Sequence, residues 1–175
     1  MNWTDLLKKE ATSAYGATEG LLDLVDADGL DWKPATGENW MTMGQLLEHL
    51  HNACGFCCRG FATGDWGMPE GVEMGDMKPE DMLPTADKMP SIDSLDAAKE
   101  KLAADKALCF EMIDQVGEAD LAGKVVDTPW APGLERNLGH HFLQMIDHLR
   151  SHKGQLFYYL KLQGKPVHTG NYYGM

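Results

Sequence analysis

Two histidines, His148 and His152, stand four residues apart within Asp147-His148-Leu149-Arg150-Ser151-His152-Lys153-Gly154-Gln155. On a helix, residues i and i+4 lie one above the other, about 6 Å apart along the axis, so both imidazoles can turn to one point. That spacing makes a bidentate clamp for a metal ion. A single histidine on an apolar stripe is usually a buried, hydrogen-bonded structural residue. Two together carry a desolvation cost, and repulsion if either protonates, so the pair wants a compensating partner such as a cation. A third arm must come from another helix. His49 is the candidate, because it lies beside Leu46 and Ala53 at the edge of an apolar stripe, whereas His51 is turned about 200° away from it and faces solvent. Three neutral imidazoles leave a tetrahedral Zn²⁺ one open position for water, as in catalytic rather than closed structural sites. The glutamate of a His-Glu-x-x-His motif is absent.

Four amphipathic helices are needed to position these groups. The first is predicted from about Thr4 to Val25, with Leu7, Ala11, Ala14, Thr18, Leu21 and Val25 recurring every three or four residues. Gly29, Pro34 and Gly37 mark a connector. Thr42-Met43-Gly44-Gln45 then has the form of a capping box, predicting a second helix to about Ala62 whose face is Leu46, Leu50, Ala53, Cys57 and Phe61. Residues 64–90 lose periodicity in Gly, Pro, Asp and five methionines, Met68, Met74, Met77, Met82 and Met89. Loops this long are commonly lids or partner-binding surfaces. The third helix opens at Ser91, Asp93 or Ser94 and carries Leu95, Ala98, Leu102, Cys109, Ile113 and Val116. After Thr128-Pro129-Trp130-Ala131-Pro132-Gly133, Asn137 can cap a fourth helix to about Gln163, stopped by Gly164 and Pro166. Residues 165–175 form a C-terminal tail. With no convincing strand run and no repeat, the expectation is an all-α four-helix bundle with a long connection between helices 2 and 3. The 175 residues suit one domain with a real core.

The formal net charge of −12, spread along the whole length, disfavours nucleic acid and anionic membranes as partners. The longest apolar runs fall far short of the ~20 residues that span a bilayer, and Met1-Asn2-Trp3-Thr4-Asp5 lacks a secretory pattern, so the cytoplasm is expected. Cys54-Gly55-Phe56-Cys57-Cys58 holds a Cys-x-x-Cys inside a helix, which reads as buried structural cysteines rather than a redox motif, with Cys57 on the core stripe and Cys58 beside it. A thiolate approaching His49 would compete as a soft zinc ligand.

Several further residues have weaker signals. His141 is about 10 Å along the axis from His148, too far to share its ion, and fits a pocket wall, core or surface position. His140 and His168 have no interpretable spacing, and His168 fits a disordered tail. Trp40, Trp66 and Trp130 sit in connectors, as loop anchors, a lid over the metal or a dimer contact. Gln155 follows His152 by three and is placed either to hydrogen-bond it or to pack on a neighbouring helix. Glu48 and Asp147 directly precede proposed ligands, diverge from them by about 100° and read as solvated or ion-paired. No general base stands out.

The chain resembles the DinB-like proteins, also called DinB/YfiT-like metalloenzymes. The resemblance rests on Leu46-Leu47-Glu48-His49-Leu50, on His148-x-x-x-His152-Lys153-Gly154-Gln155, on the ending Leu160-Lys161-Leu162-Gln163-Gly164, and on the aromatic-Gly tail Tyr172-Tyr173-Gly174. It spans nearly the whole chain. It implies a four-helix bundle with a three-histidine divalent metal site, often in a homodimer and commonly holding zinc or nickel, with His49, His148 and His152 as ligands. Several such proteins are transferases or isomerases that use a low-molecular-weight thiol. The chain departs from the pattern at Lys153, where arginine is frequent, and in its methionine-rich connection. The expected function is therefore a metal-dependent transferase or hydrolase acting on a small molecule. Two competing readings remain, a metal-free bundle whose dimer interface or methionine-rich loop binds a partner, and metal binding without turnover.

Overall fold

The computed structural model describes residues 2–72, 77–78 and 82–175. Its elements, in chain order, are α1 (Trp3–Leu22), α2 (Met43–Leu50), α3 (Gly55–Thr63), α4 (Leu95–Gly123), the strands β1 (Val125–Thr128) and β2 (Ala131–Asn137), α5 (Leu138–Leu162) and α6 (Thr169–Tyr173). Helices α1, α4 and α5 pack on one another. α2 and α3 close the remaining side against α4 and α5. Every one of these five helices sends residues into one core, among them Leu7, Leu21, Leu46, Leu50, Phe61, Leu102, Ile113, Phe142 and Leu149. None of the helices is long and apolar enough to cross a membrane, among the described residues.

α1 buries the stripe its sequence periodicity predicts, but ends at Leu22 instead of Val25. Its first amides are satisfied by two side chains. Asn2 Oδ1 accepts from Asp5 N at 2.9 Å, and the Glu118 carboxylate accepts from Trp3 N and Thr4 N, both at 3.0 Å. Glu118 reaches them because α4 continues beyond the last residue of its predicted stripe, Val116, breaking at Gly117 (φ 73°, ψ 167°) and resuming to Gly123. Ser94 is the N-cap of α4, accepting from Ala97 N.

The largest departure from expectation is the second helix. Thr42 and Gln45 form the expected capping box, yet the helix stops at Leu50 and restarts at Gly55. A buried carboxylate on α4 maintains the break. Asp105 accepts from Gly55 N at 3.0 Å and Phe56 N at 2.7 Å, capping α3 from outside, and from the Tyr15 hydroxyl of α1 at 2.6 Å. Glycine is required at 55, since a Cβ there would lie 2.0 Å from the Asp105 carbonyl oxygen. Neither the donor nor the acceptor of this cap is near the other in sequence, so hydrophobic periodicity continues through the break unaltered.

The connector before α5 also differs from a plain loop. β1 and β2 pair antiparallel, Val125 opposite Asn137 and Val126 opposite Arg136, with an irregularity before Thr128 opposite Ala131. Asp127 Oδ1 receives Thr128 N and Gly133 N across the turn. Strands this short give little alternating signal. Asn137 then caps α5 as expected, accepting from His140 N at 2.8 Å.

The long connection after α3 returns through a 3₁₀ turn at Ala86–Lys88. Gln45 ties that turn to α2. Its Oε1 accepts from Thr42 N, while its Nε2 donates to the carbonyls of Ala86 (2.7 Å) and Met89 (2.9 Å). Met74, one of the five methionines of this segment, lies outside the described residues. The C-terminal tail is ordered by α6. His168 caps it, accepting from Gly170 N, and buried Lys153 donates to the Tyr172 carbonyl at 2.6 Å with its ammonium 3.7 Å from the Tyr172 ring centre.

Removing the Asp105 carboxylate strands two buried amides and a phenol, each costing on the order of 1–3 kcal/mol. Asp105→Ala is expected to lower the unfolding free energy by about 3 kcal/mol in urea titrations, and Tyr15→Phe by about 1 kcal/mol. A smaller loss for Asp105→Ala than for Tyr15→Phe would remove Asp105 from this capping role.

Candidate metal centre

His49 occupies the last turn of α2, and His148 and His152 occupy successive turns of α5. The structure brings the three together. His152 Nε2 is 2.8 Å from His148 Nε2 and 3.0 Å from His49 Nε2. The ring centres are 4.3 to 5.4 Å apart, and each histidine is half-buried. His51 is turned away, its Nε2 3.0 Å from the Glu48 carboxylate. Glu48 also holds Lys101 at 3.0 Å, so it is ion-paired, not a ligand.

The other ring nitrogens determine what the cluster can do. His148 Nδ1 lies 3.1 Å from the carbonyl of Ala53, and His152 Nδ1 lies 2.8 Å from Gln155 Oε1. A carbonyl only accepts, so both Nδ1 atoms carry the proton and both Nε2 atoms present lone pairs. These two lone pairs face each other at 2.8 Å, and His49 Nε2 can donate a proton to only one of them. Converging acceptors in this arrangement are satisfied by a cation placed between them, with the Nδ1 partners orienting each ring. Burial pushes the imidazoles toward the neutral form needed for ligation. His49 is lowered to about 3 by burial and then by the neighbouring His152 and His148, and His148 to about 4 by burial and then by His152. His152 is lowered by burial against the opposing bond to Gln155.

The sequence model of the DinB superfamily matches residues 10–156, a span that includes all three histidines. The chain belongs to the DinB superfamily. No curated protein and no solved structure matches it.

In this DinB superfamily member a cavity of about 480 Å³ opens beside His49 and His148. Its walls are largely apolar, built from Phe56, Trp66, Met82, Leu83, Trp130 and Met145, with Asn52, Gln144, Asp147 and Ser151 as polar points. Trp66 and Trp130 meet edge to face at 5.9 Å, both against Phe61 of α3. Gly60 makes room for Trp66, since a Cβ there would stand 2.3 Å from the indole. Trp130 arrives at the turn of the β-hairpin. Trp40 lies elsewhere, against Tyr159.

His141 serves this wall rather than the metal. It is fully buried, stacks on Phe61 at 4.1 Å and places Nε2 2.9 Å from the Val126 carbonyl, joining α5 to β1. The cysteines also sort differently from expectation. Cys54 and Cys58 are fully buried, while Cys57 is half-buried and faces the cavity because the helix break re-phases α3. Its Sγ donates to the Asn52 carbonyl at 3.3 Å, burial pushes the thiol up to about 12, and it does not stand among the converging donors of the three histidines.

Gln155 was legible as a partner of His152 from its i+3 spacing. The Ala53 carbonyl was not, because it becomes available only at the break between α2 and α3.

Neutral histidines in the folded chain, against an ordinary value near 6.5 in the unfolded chain, contribute stability that is present above about pH 6.5 and lost as pH falls toward 4. Urea titrations of chelator-treated protein should show this decline. The His49→Gln variant should show a shallower one, and an equal slope in the two proteins would contradict the neutral buried cluster.

Proposed function

We propose that the protein is a metal-dependent enzyme in which His49, His148 and His152 bind a divalent ion, Zn²⁺ or Ni²⁺, and that it acts as a thiol-dependent transferase or a hydrolase on a small molecule. The observation that carries this reading is the convergence of three Nε2 atoms, two of them held as acceptors by Ala53 and Gln155, at the side of a cavity. An ion held there would supply Lewis-acid activation of water or of a low-molecular-weight thiol. The chain's own residues supply the rest. The two indoles, Phe56 and Met145 take the apolar body of a substrate and exclude water, and Asn52, Gln144 and Ser151 offer hydrogen bonds that orient it. Asp147 is the carboxylate on the cavity wall and can receive a proton at its mouth.

In this reading α1, the interrupted pair α2 and α3, α4 and α5 make a four-helix bundle of the DinB/YfiT type. It is one domain over residues 1–175, and it works as a homodimer in the cytoplasm. Membership of the DinB superfamily supports the bundle and the metal. Light scattering on the purified protein tests the dimer.

Metal analysis of purified protein should find about one divalent ion per chain. His148→Ala should abolish it, and a chelator should lower the unfolding free energy by about 2.7 kcal/mol relative to protein held at a hundredfold excess of metal over its Kd. Absence of stoichiometric metal, or unchanged occupancy in His148→Ala, sinks the proposal. With metal in place, low-molecular-weight thiols paired with alkyl or acyl electrophiles should turn over and stop on chelation. Persistent inactivity of loaded protein across such pairs would leave metal binding without catalysis.

Gln155→Leu keeps the helix and removes the acceptor of His152 Nδ1. Loss of such an orienting partner typically weakens metal affinity by about 10-fold. Competition titration against a chromophoric chelator measures it, and unchanged affinity would show that Gln155 merely packs.

A further inference from the structure

The chain contains a second three-donor cluster, separate from the histidines. Cys54 and Cys58 are i and i+4 across the start of α3, and Cys109 meets them from α4. Their sulfurs all lie within 4.8 Å of one another, Cys54 and Cys109 at 3.7 Å. All three side chains are free thiols with no exposed surface. A metal–sulfur bond of about 2.3 Å places three ligating sulfurs about 3.8 Å apart when their angles are near tetrahedral. Cys54 and Cys109 already stand at that separation and Cys58 lies within 4.8 Å of both, and such soft donors select thiophilic centres.

Charge and donor number narrow the class. The neighbouring carboxylate is Asp105, an anion or a neutral acid, and it adds to the cost of negative charge at Cys54. Three thiolates around Cu⁺ would leave two negative charges and around Zn²⁺ one, buried beside that carboxylate, which is costly. Zinc also wants a fourth ligand, and the Asp105 oxygens are committed to Tyr15, Gly55 and Phe56. A trivalent centre with a lone pair needs three donors and ends neutral.

We propose that Cys54, Cys58 and Cys109 form a binding site for a soft trivalent metalloid, arsenic(III) or antimony(III). With arsenous acid, three S–H and three As–O bonds break, three As–S bonds form and three waters leave. The oxidation state of arsenic does not change. The hydrogen bond with Cys109 raises the Cys54 thiol and burial raises that of Cys58, while the hydrogen bonds from Cys54 and Cys58 lower Cys109. Where Cys109 begins as a thiolate, one proton is taken up from solvent to complete the third water. Entry requires opening of α3, a nine-residue helix whose N-terminus is held by Asp105.

The test uses the purified, metal-loaded protein incubated with arsenite. Native mass spectrometry should show one arsenic per chain in place of three hydrogens, and X-ray absorption at the arsenic edge should show three sulfur neighbours and no oxygen. Cys58→Ser should weaken binding at least tenfold, and Cys57→Ser should leave it unchanged. The proposal is overturned if wild-type protein takes up no arsenic after prolonged incubation, or if arsenic has fewer than three sulfur neighbours. Because Cys58→Ser can fail to fold, the wild-type coordination number stands as an independent reading. Loss of binding in Cys57→Ser would move the site to the cavity. Excess Zn²⁺ should not enter a three-sulfur environment, read at the zinc edge, and if it did the trivalent assignment would fall.

Discussion

The Asp105 carboxylate is the interaction on which the arrangement depends. It binds the hydroxyl of Tyr15 on α1 and the amides of Gly55 and Phe56 at the start of α3, while its own backbone runs in α4. A single side chain thereby joins three helices and keeps the chain from continuing α2 straight into α3. That interruption has two consequences at the candidate centre. It frees the Ala53 carbonyl to orient His148, and it rotates α3 so that Phe56 and Cys57 face the cavity while Cys54 and Cys58 turn inward. A polar group buried among apolar neighbours is tolerable only when every bond is made, and here one bond serves α1 and two serve the start of α3.

The two three-donor clusters repeat one design with opposite chemistry. Each takes an i, i+4 pair from one segment and a single arm from a separate helix. The nitrogen cluster is half-buried, beside a cavity, with its ring protons directed away to a carbonyl and an amide. The sulfur cluster has no exposed surface and no opening. Accessibility therefore separates a site suited to exchange of small ligands from a closed one, although the geometric motif is shared.

Much of this was readable in the residues. The i, i+4 histidines, the placing of His49 on the inner edge of its helix, the Thr42–Gln45 box, the Asn137 cap and the His152–Gln155 relation all follow from helical periodicity and local capping rules, which act over a few residues. What periodicity missed shares one property. The α2–α3 break, the capping of α1 by Glu118 and the Trp130 wall depend on partners from 50 to 115 residues away, or on a hairpin too short to alternate. The misplacement of Cys57 follows directly from the missed break, since a helix carried through residues 51–54 assigns the wrong face to everything after it. The DinB superfamily match includes all three histidines and cannot supply these side-chain details.

The histidines also differ in when they become available during folding. His148 and His152 stand within one turn of each other and form a two-nitrogen clamp as soon as α5 exists, on the microsecond timescale of helix formation. His49 is 103 residues from His152 in sequence and joins only after long-range packing has closed the loop between them. Its carbonyl-oriented partner His148 likewise acquires its Ala53 bond across 95 residues. An ion held by all three nitrogens would thus be a record of completed assembly, and its retention would distinguish the native chain from compact states that already have their full helix content.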